Sequence, residues 1–101
     1  MSLTITLEGE NGNEIESFDD KGLLQTIIPD YNDKSSFCLR FVDLYGDTTF
    51  NTLQVPELIE ELEQKLTELL PIETKELVEN IIRLAHRCKD EVHLYLKIYG
   101  D

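Results

Sequence analysis

Between residues 55 and 88 apolar side chains recur twice at helical spacing, with Pro71 between the two runs. Val55, Leu58, Ile59, Leu62, Leu66, Leu69 and Leu70 trace one face. Leu77, Val78, Ile81, Ile82, Ala85 and Cys88 trace a second. Steps of three and four residues gather such side chains into a stripe, and that stripe must be covered by another element. Pro56 suits a first helical turn, Pro71 stops the first helix, and Thr74 is placed to cap the second. The short link predicts an antiparallel helix pair. In the second helix Glu76 and Glu79 lie early and Arg83, Arg87 and Lys89 lie late, as the helix dipole favours.

The rest of the chain has to supply the covering surface. Leu3, Ile5 and Leu7 alternate with Thr4 and Thr6, the period of a half-buried strand. Val92, Leu94, Leu96 and Ile98 alternate in the same way with His93, Tyr95, Lys97 and Tyr99. Asn11-Gly12 marks a hairpin. A three-residue loop, Glu10 to Gly12, needs a left-handed residue at its third position, which Gly12 provides, and sets Leu7 opposite Ile15. Asp19 and Asp20 are placed to cap a short helix carrying Leu23, Leu24, Ile27 and Ile28, which Pro29 ends. Residues 37–45 are apolar on both faces: Phe37, Leu39 and Phe41 on one, Cys38, Val42 and Leu44 on the other. That pattern predicts a central strand covered from both sides, with the last strand beside it. Thr48 to Leu53 adds a short extended piece. The expected fold is a single α+β domain over residues 1–101. About four mostly antiparallel strands pack on the helix pair and one short helix.

Charge limits the partners. The chain carries 21 acidic and 9 basic residues, a net charge of −12 at pH 7. Twelve of the acidic and three of the basic side chains fall in residues 1–60. Nucleic acid is excluded as a direct ligand, because binding depends on Lys and Arg displacing counterions from phosphate. Anionic membrane surfaces are excluded for the same reason. A basic protein or a cation is admitted. The N-terminal run has no basic region followed by an apolar one, and no apolar run reaches membrane-spanning length. A cytoplasmic location is expected, with Cys38 and Cys88 as reduced, buried thiols.

Several constellations could carry function, each with a plainer reading beside it. Glu57, Glu60, Glu61 and Glu68 lie on one stripe of the first long helix, facing away from the leucines. They make a docking face for a basic partner, or else a solvated surface partly neutralised by Lys65. His93, Tyr95, Lys97 and Tyr99 form the outward face of the last strand. Left uncovered beside an apolar neighbour strand, Tyr95 and Tyr99 would mark a partner or homodimer interface; covered by a helix, they are core or rim. Tyr45-Gly46-Asp47 echoes Tyr99-Gly100-Asp101. The echo is a paired site at one sheet edge, or a turn signal used twice. Asp43, Asp47 and His93, with Tyr45, would form the pocket of a small enzyme or ligand-binding domain if they converge.

Metal chemistry finds little support. His86 and Cys88 stand two apart on a helix and point to different sides. Asp30, Asn32 and Asp33 lack the central Gly and closing Glu of a calcium loop. No cofactor is implied. No Gly-rich phosphate loop, nucleophile elbow or His-Glu-x-x-His is present, so the sequence leans away from catalysis.

The runs Phe41 to Gln54 and Cys88 to Asp101 resemble those of a group of small uncharacterised bacterial proteins, and the likeness spans the whole chain. That resemblance implies a bacterial cytosolic origin and a stand-alone domain, and it carries over no activity and no functional residue. In size and charge the chain also resembles acidic antidotes that neutralise basic toxins. The functional expectation is a non-enzymatic interaction module, of inhibitor or immunity type, for a basic partner.

Overall fold

Alternation at the two ends of the chain produces the two central strands. The computed structural model describes residues 2–100. Strand β1 (Thr4–Gly9) and strand β4 (Leu94–Tyr99) lie side by side, with Ile5 opposite Ile98 and Leu7 opposite Leu96. Strand β2 (Glu14–Asp19) flanks β1, and strand β3 (Asp47–Phe50) flanks β4. The order is β2-β1-β4-β3, antiparallel throughout. Helix α1 (Val55–Leu66) and helix α2 (Ile72–Asp90) pack on each other, and α2 lies on β1 and β4. The result is the expected α+β arrangement of one sheet and a helix pair.

The core fills the space between sheet and helices. Ile5, Leu7, Leu96 and Ile98 meet Leu58, Leu62, Val78, Ile81 and Leu84, all buried. Only the sequence periods of two and of three to four are needed to place these side chains on facing surfaces.

Turn chemistry explains several boundaries. The Asn51 side-chain oxygen accepts from the Leu53 and Gln54 amides, while the Gln54 side-chain oxygen accepts from the Asn51 amide at 2.9 Å. This reciprocal Asn-x-x-Gln box launches α1, and Pro56 follows in the first turn. Asp20, 1% exposed, accepts from the Leu3 amide at 2.7 Å, the Gly22 amide at 2.8 Å and the Leu24 amide at 2.9 Å. It starts a single 3-10 turn, Leu24–Thr26, where a longer helix was expected. The same carboxylate ties that turn to the entry of β1.

Other expectations need correction. Residues 37–45 are not a strand. Leu39–Phe41 is a 3-10 turn, and the segment around it lies outside the sheet. The Glu61 carboxylate accepts the amides of Phe37, Cys38 and Leu39, so these groups cannot enter a ladder. Strand β4 therefore lies between β1 and β3. The hairpin loop has three residues between Gly9 and Asn13, with Gly12 at φ +86. Beyond it a bulge at Ile15 shifts the register, so Leu7 faces Glu16 and not Ile15. The bulge turns Glu16 toward α2, where Arg83 donates to it at 3.0 Å and Arg87 lies 3.6 Å away. Helix α1 ends at Leu66, so Leu69 leaves the apolar stripe and is exposed. Thr74 sits inside the first turn of α2, buried and making no cap. Val92 precedes β4 and is exposed.

Candidate functional site

The acidic stripe of α1 becomes one wall of a groove. Residues 29–39 cross in front of the helix and form the other wall. Between them lies a concavity of about 420 Å³, lined by Glu57, Glu60, Glu61 and Glu68 together with Pro29, Phe37 and Leu39. Asp33 adds a fifth carboxylate, and Lys65 is the cation on the lining.

These carboxylates have different jobs. Glu61 is structural. It accepts from the Ser36 hydroxyl at 2.5 Å, the Cys38 amide at 2.7 Å, the Phe37 amide at 3.0 Å and the Leu39 amide at 3.2 Å. Its charge is spent on the amides at the start of the 3-10 turn, which would otherwise lack partners. Glu68 faces Lys65 at 3.5 Å, one helical turn away. Asp33 accepts from the Ser35 amide and hydroxyl, which hold its carboxyl below the ordinary range. Among the described residues Glu57 and Glu60 have no ion-pair partner, and both are exposed. They carry the unspent charge of the groove.

Cys38 lies behind this wall. Burial, and then the charges of Glu61 and Glu57, push its thiol up to about 12. A thiol so raised is not a nucleophile near neutral pH. Cys88 is likewise buried and raised by burial, with its sulfur toward the Leu94 carbonyl at 3.4 Å. The two thiols are free.

The outward face of β4 is uncovered by helices but polar. Its neighbours present Thr4, Thr6 and Glu8 from β1 and Asp47 and Thr49 from β3, in place of the apolar strand expected there. Glu8 is 6% exposed, accepts from the Tyr99 hydroxyl and pairs with Lys97 at 3.2 Å. Tyr99 starts opposite Thr4, so its reach to Glu8 lays the ring along β1 above Thr6, which is also buried. The bond to Glu8 raises the Tyr99 hydroxyl above its usual range. Tyr99 is thus engaged within the fold, and Tyr95, opposite Glu8, is half-buried. The apolar patch on which an interface through Tyr95 and Tyr99 depended is not formed.

The alternative pocket does not assemble. His93 stands before β4, 2.6 Å from Glu10 at the hairpin end of the sheet. Asp47 lies opposite Tyr99, at the other end of β4 and about 20 Å away by strand rise. Asp43 serves a turn, accepting from the Tyr45 amide at 2.9 Å while its own amide donates to Thr48. Tyr45 projects into solvent.

The two copies of the Tyr-Gly-Asp echo do meet. The Gly100 amide donates to the Gly46 carbonyl at 2.7 Å, and Asp47 pairs with Tyr99. The meeting is a backbone closure, and Asp101 lies outside the described residues. Among the described residues no group of three or more His, Cys, Asp or Glu side chains is arranged to hold a metal ion. No helix among them is long and apolar enough to cross a membrane.

Sequence reasoning missed two parts of this site. One is the segment 29–39 as the second wall. The other is Phe37, which faces solvent at 63% exposure. The polar run Asp30 to Ser36 is legible as a loop, but nothing local says that it packs beside α1. No protein-family profile, no curated protein and no solved structure matches the chain.

Proposed function

We propose that the chain is a non-enzymatic interaction module that docks a basic protein partner on the acidic face of α1, as an inhibitor or immunity-type protein does. The groove between α1 and residues 29–39 supports this reading, with Glu57 and Glu60 on its wall and, among the described residues, no ion-pair partner for either. Unpaired carboxylates beside an apolar floor attract cationic side chains at long range and hold them at short range. The net charge of −12 adds a field of the same sign. A cytoplasmic, bacterial setting fits the same reading, with two buried free thiols.

The test is affinity capture with the wild-type chain and with Glu57→Lys/Glu60→Lys/Glu68→Lys, eluting with rising salt. The wild type is expected to retain basic proteins that elute as salt rises, and the reversed variant to lose them. Retention insensitive to salt, or the same proteins on both baits, would overturn the reading.

A further inference from the structure

Three aromatic rings that the core does not use stand in solvent on residues 31–41, and one of them, Phe37, lines the groove. Tyr31 is 68% exposed, Phe37 63% and Phe41 46%. Two of these rings are held against each other, and the backbone of the third is anchored. The Tyr31 and Phe41 rings meet edge to face, 5.7 Å apart and at 90°. The Arg40 guanidinium lies 4.5 Å over Phe41 and donates to the Tyr31 carbonyl at 3.1 Å. Glu61 grips the amide of Phe37 itself. A rigid, exposed aromatic surface loses little conformational freedom when it is covered, which is the property of an interface anchor.

We propose that Tyr31, Phe37 and Phe41 form an apolar anchor platform, and that its occupant is a protein segment in which an apolar side chain is flanked by Lys or Arg. This rests on the docking function proposed above and adds the second half of the recognised chemistry. The charge around Phe37 selects the occupant. Phe37 shares the groove with Glu57 and Glu60, so a side chain seated on it brings its sequence neighbours against those carboxylates. Cationic neighbours gain there, and can also approach an open ring face; anionic neighbours are repelled.

The experiment titrates the full chain with two synthetic peptides of equal length and equal positive charge, one alternating Lys with Leu and one alternating Lys with Ser. Amide chemical shifts locate the binding, and fluorescence anisotropy of the labelled peptide measures it. The Lys/Leu peptide is expected to bind about tenfold more tightly and to shift residues 31, 37 and 41. Phe37→Ser and Phe41→Ser remove that advantage and leave the weaker, salt-sensitive binding of the Lys/Ser peptide. Both side chains are exposed, so the variants keep the fold, which circular dichroism checks. Equal affinity for the two peptides, or a Leu-dependent gain that survives both variants, overturns the platform and leaves the acidic docking face standing. Failure of both peptides to bind at low salt overturns the platform and the acidic docking face together.

Discussion

The Glu61 carboxylate lies 2.7 Å from the amide nitrogen of Cys38, a residue 23 positions earlier in the chain. This contact joins the middle of α1 to a segment whose composition alone reads as a buried strand. Three amides and one hydroxyl converge on that carboxylate. Glu61→Ala would leave them without an acceptor, and hydrogen bonds to charged groups are worth more than neutral ones. The variant is expected to lose about 2–3 kcal/mol, read as a lower urea midpoint, with faster amide exchange over residues 36–39. Glu61→Gln keeps one acceptor oxygen and should fall between the two.

Asp20 has a similar role at the opposite edge of the core. Asp20→Ala strands the amides of Leu3 and Leu24, both buried residues, and that of Gly22. The expected loss is about 2–4 kcal/mol by thermal or urea unfolding. Asn at this position should recover part of it, because its carbonyl accepts from one or two of the three.

Gly100 is needed for its small size. A Cβ there would stand 2.4 Å from the Leu44 carbonyl oxygen and 2.9 Å from that of Gly46. Both obstacles are backbone, which yields only by moving the chain. Gly100→Ala should cost about 1–3 kcal/mol and weaken protection of the Gly100 and Tyr99 amides in hydrogen exchange. Gly12→Ala is strained for a different reason, its φ of +86, although open space surrounds it.

Glu16 supplies a pH dependence. The hydrogen bond from Arg83 holds its carboxyl below the ordinary 4.5. A carboxyl whose value is lower in the folded state stabilises the fold above its unfolded value, and the contribution disappears as pH falls through the folded one. The pair is partly solvated, so it is worth at most about 1 kcal/mol near neutrality. Glu16→Gln should be less stable than wild type by that amount at neutral pH. The gap should shrink as pH falls below 4.5, read from urea midpoints across the range.

Wherever one period dominated, the sequence was sufficient. Leu3 to Leu7 and Leu94 to Ile98 alternate without interruption, and Leu58, Ile59 and Leu62 repeat at helical spacing, so these elements and their buried faces were legible. The element ends that were misjudged, at Leu69, Thr74 and Val92, are local, but the larger failures are contacts from far along the chain. Phe37 to Leu44 is apolar on both sides, which signals burial but not by which structure; the acceptor that takes its amides sits on α1. The bulge at Ile15 answers to Arg83 and Arg87, more than sixty residues later. For the candidate site, helical spacing was enough to place Glu57 and Glu60 on one outward face of α1; Glu68, expected on the same stripe, lies past the end of the helix and still lines the groove. Spacing could not separate Glu61, whose spacing is the same and whose charge is used inside the fold. Phe37 and Phe41 were misplaced because apolar character marks core and interface alike.

In the proposed function Glu57 and Glu60 of α1 recognise a cationic protein surface. The most direct test is the affinity for the captured basic partner, measured across a range of salt for the wild type and for Glu57→Lys/Glu60→Lys. The affinity is expected to fall steadily with salt and to drop at least about tenfold in the variant at low salt. An affinity flat in salt, or unchanged by reversal of both charges, would contradict it.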